Sequence, residues 1–550
     1  MLRWLAVFAI ALAIYLPGSS VPFSNTAESQ EALVAWEMVQ AGDWILPRVN
    51  GELIPSKPPF FHWIAAGFST VTGGVDELTA RLPSIVSAAA CVALVYVVGA
   101  GRWGPLAGVI AAVALATSPE WAKWATTART DATFSFLLTA ALLLGEHWLR
   151  KGDLHALFTL AAATGAATLA KGFAGAGLVA LVLAVEIWRR GAWRRLPRPL
   201  PLLCAAALFS AVAGTWYLAA LAREGFAFFH KQIVLENVLR FLPNEEGGPS
   251  RHHSWLFYVP MIFTGMLPWS LVLPSALWRG YRERVTLEAF PAYLLTWIAV
   301  VFSVCTMASG KRTNYVLPLY PAAALLIGRH LAALLPCLKD RAPITLRVAG
   351  WASAGLMAAL CALLVAWQAG MEPWRPVIPW LHPQDRVLLP KMLAAVGRPG
   401  KSVIVLCAGV SAALALATLQ SRWKELYAIV GLTIVLATVA AGTTLQHLES
   451  KLKSFAPFAQ RVAAFVGGGP LAFSESPDLA VLYYLRRHVP VERGPYSTIA
   501  RPGWALVWWK TWSSLPASER DGDVVIDESP PASVGRTDTR LLLVRLAGSR

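Results

Sequence analysis

The chain has 550 residues, of which 56% are hydrophobic and 15% are charged, and its mean hydropathy is +0.52. Soluble domains carry about 25% charged residues, so this composition excludes an ordinary soluble enzyme and indicates a membrane protein. The formal net charge of +16 would suit a nucleic-acid-binding protein if the chain were soluble. In a membrane protein, arginine in cytoplasmic loops explains the same charge, so no nucleic acid is expected as a partner. The six cysteines lie in apolar runs without ligand spacing, which argues against a disulfide framework.

Apolar runs recur from Leu5 to about Thr444, and each is near the roughly 20 residues that cross a bilayer. They predict a polytopic α-helical membrane protein with about thirteen transmembrane helices. Residues 1–15 also fit a signal peptide, but an uncleaved first helix agrees better with the topology below. The predicted helices lie at 4–18, 78–100, 104–118, 132–148, 155–170, 173–188, 200–222, 255–278, 287–307, 315–335, 345–367, 402–419 and 426–444.

Basic residues alternate between the connecting loops. Short loops dense in arginine and lysine, such as residues 189–198 and 279–284, face the cytoplasm in membrane proteins. This alternation predicts a cytoplasmic N-terminus and a C-terminus on the opposite side, which in a bacterium is the periplasm.

The pattern divides the chain into a transmembrane domain, 1–444, with a long first periplasmic loop at 19–77, and a small soluble periplasmic α/β domain, 445–550. Within the first loop, apolar residues at helical spacing predict an amphipathic interfacial helix over 27–40, with Glu28 and Glu31 on its polar face. The proline-rich loop 373–401 is predicted to be irregular. In the tail we expect strands at 469–473, 504–509 and 541–546, and a helix at 477–488.

Five basic residues lie at the outer ends of predicted spans, and they are Lys57, Arg129, Lys171, Lys311 and Arg312. Each alone could reach toward lipid headgroups. Together they indicate a binding site for a phosphate-bearing ligand near the membrane surface, because charges at membrane level are costly and tend to mark substrate paths. A lipid-linked phosphate fits, since its tail would stay in the bilayer. Pro58 and Pro59 fix the backbone directly after Lys57.

Acidic residues on the same side are few, and Glu28 and Asp131 are the candidate catalytic residues. Either carboxylate could act as a general base on an acceptor hydroxyl, although each also suits the first turn of a helix, where a negative charge is favourable. His252 and His253 are candidate ligands of a divalent metal, but adjacent histidines in an extended loop point to opposite sides, which makes the pair a weak signal.

Taken in order, these motifs resemble those of bacterial glycosyltransferases that use lipid-phosphate-linked sugars. That group includes the aminoarabinose transferase that modifies lipid A and the protein mannosyltransferase superfamily. The resemblance covers about residues 20–340 and rests on Glu37-Met38, the segment 42–51, Lys57-Pro58-Pro59, Arg129-Thr130-Asp131, Ala170-Lys171-Gly172, Trp216-Tyr217-Leu218, the segments 236–241 and 267–270, and the segment 309–318.

The resemblance implies the glycosyltransferase C-type fold, with an active site at the periplasmic membrane face. It implies transfer of a sugar, with inversion, from undecaprenyl phosphate to a lipid A, glycan or protein acceptor. By position, Lys57, Arg251 and Tyr315 would bind the lipid phosphate beside Lys311 and Arg312. Asp131 and Lys171 would line the sugar cavity, with Arg129 next to them.

Two departures from the family pattern keep alternatives open. The family's favoured catalytic aspartate falls on Ala27, so Glu28 replaces it, or a phosphate acceptor needs no base, or the protein is an inactive member. The acid that precedes the lysine in some metal-binding members is Ser56 here, which weakens the case for a metal cofactor. A transporter or flippase of lipid-linked substrates is a further alternative, although such proteins often show internal repeats, and none is recognisable here.

The topology is directly testable. Fusions of a periplasm-dependent reporter, such as alkaline phosphatase, to the C-terminus should be active in a bacterial host. Fusions within residues 189–198 should be inactive, because that arginine-rich loop is expected in the cytoplasm. An inactive C-terminal fusion that is stably made would contradict the orientation and move every candidate residue to the wrong membrane face.

Overall fold

The computed structural model describes residues 2–53, 57–195, 199–239, 254–283, 289–308, 310–334, 344–381, 383–531 and 539–548. Most of the chain is helical, as the composition predicts. Helices of the first 453 residues are α1 Leu2–Tyr15, α2 Thr26–Ala41, α3 Phe60–Thr72, α4 Glu77–Trp103, α5 Pro105–Ala116, α6 Pro119–Ala125, α7 Thr130–Lys151, α8 Leu154–Lys171, α9 Ala174–Arg189, α10 Pro199–Phe228, α11 Tyr258–Gly265, α12 Leu273–Glu283, α13 Ala289–Met307, α14 Tyr320–Leu334, α15 Ile344–Gln368, α16 Pro383–Val396, α17 Lys401–Leu419 and α18 Trp423–Lys453.

Within the described ranges, eight helical segments are long and apolar enough to cross a bilayer. A ninth span results if α5 and α6, which are bent by 69° at their junction, are one broken span. Each predicted apolar segment contains helix within its described residues, which confirms a polytopic helical protein. The number thirteen stays a prediction, because several of these helices are shorter than a full span.

Three local predictions need correction. The predicted span 255–278 is broken, since α11 ends at Gly265 and a 3-10 turn at Trp269–Leu271 separates it from α12. The loop 373–401 is not wholly irregular, because α16 forms within it. Helix α18 continues to Lys453, past the predicted end of the last span at 444, since the sequence after Thr444 still lacks a helix-breaking residue.

Small residues let the helices after the first loop pack closely. Gly175 in α9 faces the backbone of Ala167 and Thr168 in α8, and a Cβ there would come within 2.7 Å of that backbone. Small side chains allow such close approach of helices in membranes. The antiparallel pair of α7 and α8 therefore lies tightly against α9, and it brings the start of α7 and the end of α8 to the same end of the bundle.

The tail forms a mixed five-stranded sheet. Its strands are β3 Leu471–Ser474, β4 Val491–Glu492, β5 Gly503–Trp508, β6 Val524–Glu528 and β7 Leu541–Leu546, after a short hairpin of β1 Arg48–Val49 and β2 Glu52–Leu53 in the first loop. The order is β4-β3-β5-β7-β6; β3 runs parallel to both neighbours, and β7 runs antiparallel to both of its neighbours. Helices of the tail are α19 Ala456–Val466, α20 Leu479–Leu485, α21 Trp509–Ser514 and α22 Ala517–Arg520. The three predicted strands and the helix capped by Asp478 are confirmed.

The tail packs directly on the first loop. Phe23, together with α2 and α3, shares one buried apolar cluster with α19, α20 and strand β3. The backbone N–H of Phe23 donates to the Tyr484 hydroxyl at 2.8 Å. Asn50 donates to the carbonyl of Val489 at 2.7 Å and accepts from its N–H at 3.0 Å. The sheet domain therefore holds the loop that carries the candidate site.

Candidate functional site

The first helix of the loop, α2, begins at a polar cap and carries two buried acids. Asn25 caps it by accepting from the backbone N–H of Glu28 at 2.9 Å. The predicted helix exists, but Glu28 and Glu31 do not face solvent, because both are buried. A carboxylate removed from water needs a cationic partner, and each of the two acids pairs with a cation from another segment of the chain.

Glu28 binds Arg81 of α4. The Arg81 Nε donates to Glu28 Oε1 at 2.9 Å and the guanidinium Nη2 donates to Oε2 at 3.2 Å. The backbone N–H of Ala128 also donates to Glu28 Oε1, at 2.8 Å. Both carboxylate oxygens are therefore engaged, and this geometry favours an anchoring role for Glu28 over the predicted general-base role.

Glu31 is the centre of a second cluster. Its Oε1 accepts from the Lys57 ammonium at 2.5 Å and lies 3.4 Å from a guanidinium nitrogen of Arg129. Its Oε2 lies 2.7 Å from Nε2 of His62, in α3. Burial alone would raise the pKa of the Glu31 carboxyl, but Lys57, His62 and Arg129 hold that pKa well below its usual range. Burial lowers the pKa of the Lys57 ammonium, and Glu31 opposes this shift.

Asp131 forms the adjoining cluster at the start of α7. Its Oδ1 binds the ammonium of Lys171 at the end of α8 and accepts from the side-chain amide of Asn314 at 2.7 Å. Its Oδ2 is buried and has no hydrogen-bond partner among the described residues. The Lys171 ammonium also lies 5.3 Å from the ring centre of Tyr315. A carboxylate oxygen left open in a buried site is available to a ligand.

The structure therefore brings most of the predicted residues together. Lys57, Arg129, Asp131, Lys171 and Tyr315 meet at one end of the bundle through the contacts above. Arg312 lines the cavity described next. Lys311 is buried, and its ammonium contacts the carbonyl of Ala308 at 3.3 Å.

Three predicted residues, Arg251, His252 and His253, lie outside the described residues. No group of three or more histidine, cysteine or acidic side chains with metal-site geometry occurs within the described ranges. A metal at the two histidines stays a prediction.

A cavity of about 720 Å³ opens beside the first turn of α2. The cations Arg81, Lys123, Arg129 and Arg312 and the acids Glu28 and Glu449 line its polar part, while apolar side chains of α1, α15 and α18 line much of the remainder. Ala27, the position where the family pattern has an aspartate, also faces this cavity. The space combines a cationic end with apolar walls, which suits an amphiphile that carries negative charge.

Sequence reasoning does not identify two residues of the site. Periodicity places Glu31 on the polar face of α2 without a role in the site, and no motif singles out His62. The available signal was spacing, because Glu31 lies one helical turn after Ala27 and so falls on the same face of α2. Only the folded chain shows that this face is turned inward.

The chain is similar to known proteins in sequence and in fold. Residues 56–223 match the family described as dolichyl-phosphate-mannose-protein mannosyltransferase. The chain is 31% identical over 361 residues to the undecaprenyl phosphate-alpha-4-amino-4-deoxy-L-arabinose arabinosyl transferase of Pseudomonas aeruginosa strain PAO1, and the match covers 62% of each chain. It is 28% identical over 357 residues to the enzyme of that name from Enterobacter sp. strain 638. That second match covers 63% of this chain and 61% of the relative.

The fold is shared over the whole chain with solved structures. ArnT from Cupriavidus metallidurans in the apo state superposes with a TM-score of 0.75 and 21% identity, covering 100% of this chain and 99% of the other. The same protein bound to undecaprenyl phosphate gives a TM-score of 0.74 and 20% identity. Apolar helices and these similarities together make the chain a multi-pass protein of the bacterial inner membrane.

The anchoring role of Glu28 is testable by stability. Glu28→Gln should lower the free energy of unfolding by about 3–5 kcal/mol, because it leaves the Arg81 guanidinium buried without its counter-ion. Thermal unfolding in detergent measures this loss. The matched control is Glu52→Gln, whose exposed pair with Arg493 should be worth about 0–1 kcal/mol. Unchanged stability with lost turnover would instead support the general-base role.

Proposed function

We propose that this chain, which has the glycosyltransferase C-type fold and resembles the aminoarabinose transferases, transfers a sugar from an undecaprenyl-phosphate donor to an acceptor at the periplasmic face of the inner membrane. The observation that carries the proposal is a pair of adjoining charge clusters at one end of the helical bundle. Glu31 joins Lys57 and Arg129, and Asp131, two residues after Arg129, pairs with Lys171. Cations beside one open carboxylate oxygen suit a phosphate leaving group and a sugar. The relatives named above act on, or are solved with, undecaprenyl-phosphate compounds.

The donor phosphate would bind to Lys57, and Tyr315 and Arg312 would complete its coordination. Lys57 precedes two prolines that fix its backbone, so the ammonium is held in place before the ligand arrives. The ammonium has three donors, and the described residues engage one of them, through Glu31. Two donors therefore remain for phosphate oxygens, while the polyprenyl tail stays in the bilayer.

The sugar would lie against the Asp131–Lys171 pair, on the side of the open Oδ2 of Asp131. An acceptor oxygen attacks the anomeric carbon as the bond from that carbon to the phosphate oxygen breaks, and polyprenyl phosphate leaves with the bonding electrons. One displacement of this kind inverts the anomeric centre. When the acceptor is a hydroxyl, its proton passes to the open Oδ2 of Asp131. A phosphate-anion acceptor would need no such transfer.

The acceptor would enter through the cavity beside α2. Its lining joins Arg129, which contacts Glu31, to Arg312 and Lys123, and its apolar walls suit acyl chains. This combination favours a phosphorylated lipid of the lipid A type over a glycan or a protein acceptor. Ala27 leaves space there that the family aspartate would fill.

A transport function fits the positions of these charged residues less well. Transporters bind substrates near the middle of the membrane, at interrupted helices. Asp131 lies in the first turn of α7 and Lys171 in the last turn of α8, so this pair sits at helix ends. That position favours chemistry at the membrane surface.

Lys57→Ala should weaken binding of undecaprenyl phosphate about ten- to a hundred-fold without unfolding the protein. The variant loses a charge-assisted hydrogen bond worth about 1.5–3 kcal/mol. Binding to the purified protein in nanodiscs measures the effect, with Lys151→Ala, at the opposite end of α7, as the control. Lys57→Arg should recover part of the affinity, since guanidinium differs in shape and hydration. Wild-type affinity in Lys57→Ala would exclude this role.

Asp131→Asn should lower turnover by about a hundred-fold or more on a hydroxyl acceptor, because the amide cannot take the proton. Transfer of radiolabelled sugar from lipid donor to acceptor measures it. The double variant Asp131→Asn, Lys171→Met removes the unpaired ammonium that the single change creates. Recovered turnover in the double variant would show that Asp131 only holds Lys171.

A further inference from the structure

The proposed reaction assigns no chemical step to Glu31. Its carboxylate engages one donor of the Lys57 ammonium, and Lys57 is the residue expected to bind the donor phosphate. The side chain of Glu31 is 5% exposed and that of Lys57 is 18% exposed, so water and salt screen the pair only weakly. Glu31 and a lipid phosphate are therefore two anions that share one buried lysine.

We propose that Glu31 is a positioning residue that competes with the lipid phosphate for Lys57, and that this competition sets how readily the phosphate product leaves. The inference rests on the proposed function, since it takes undecaprenyl phosphate as the product. In the empty site Glu31 holds Lys57 and Arg129 in place. When phosphate is bound, the Glu31 carboxylate repels the phosphate and can replace it as the partner of Lys57.

His62 keeps Glu31 in the orientation that this competition needs. The contact of Nε2 with Glu31 Oε2, at 2.7 Å, places the ring proton on that nitrogen, where it is donated to the carboxylate. Its Nδ1 is buried and has no partner among the described residues. Because His62 holds Oε2, the other oxygen, Oε1, stays directed at Lys57 and Arg129.

The direction in which phosphate affinity changes on removal of Glu31 distinguishes this role from a purely structural one. Removal of the Glu31 charge leaves Lys57 and Arg129 without their shared counter-ion, so an incoming phosphate meets more uncompensated positive charge. Affinity for phosphate should then rise, whereas Lys57→Ala lowers it. A residue that served only to hold the fold would lower affinity and stability together.

The test compares binding of undecaprenyl phosphate to wild-type protein and to Glu31→Gln, both full length and in nanodiscs. We expect Glu31→Gln to bind about ten-fold more tightly and to show lower kcat, because the product leaves more slowly. Glu31→Asp keeps the charge but withdraws it by one methylene group, and it should shift affinity in the same direction by a smaller factor. It also serves if Glu31→Gln does not fold. In a Lys57→Met background, Glu31→Gln should change affinity by a clearly smaller factor than in the wild-type protein, because Lys57 is absent and only Arg129 loses its counter-ion. The surface control is again Glu52→Gln.

The outcomes separate the two proposals. A wild-type protein that does not bind undecaprenyl phosphate overturns the proposed function, and this inference with it. Wild-type binding with equal or weaker binding by both folded Glu31 variants overturns only the competition. An equal effect of Glu31→Gln with and without Lys57 also overturns it, because the effect would then not pass through that lysine.

Discussion

Compensation of buried charge is the constraint on which this end of the molecule depends. Carboxylates and cations removed from water are stable only when they are paired, and breaking one pair leaves the other charge exposed to a poor solvent. Glu28 is paired with Arg81, Glu31 with Lys57, and Asp131 with Lys171. Each pair joins two segments that are separate in sequence. The pairs therefore tie α2 to α4, α2 to the loop before α3, and α7 to α8.

The same pairing leaves an excess of positive charge for a ligand. The three ion-pair groups contain four cations, Lys57, Arg81, Arg129 and Lys171, and three acids, Glu28, Glu31 and Asp131. A phosphate would complete the balance. Cations already held in place stabilise the negative charge that develops on a leaving phosphate, because they do not need to rearrange during the reaction.

The sheet domain contributes to the site although its residues do not line the Glu31 cluster. It covers the first loop through the cluster around Phe23 and through the paired hydrogen bonds of Asn50 with Val489. Long loops otherwise tend to be mobile. Packing on the sheet domain limits this mobility, and it holds α2 where Glu28 and Glu31 meet their partners on α4 and before α3. The two ends of the chain thus cooperate in forming one site.

Local sequence patterns determined the helical, multi-pass character of the chain, most strands of the tail and most of the site residues. Apolar runs, basic loops and the segments around Lys57, Asp131 and Lys171 carry these signals without reference to distant residues. Tertiary structure alone decided the partner of each charge. Helical periodicity placed Glu28 and Glu31 on a polar face, which in an isolated helix would face water. Arg81, Lys57, His62 and Arg129 turn that face inward, and they lie 53, 26, 31 and 98 positions from their acids. A sequence read in windows of one helix cannot show such a pairing, because its energy arises only when segments far apart in the chain exclude water together.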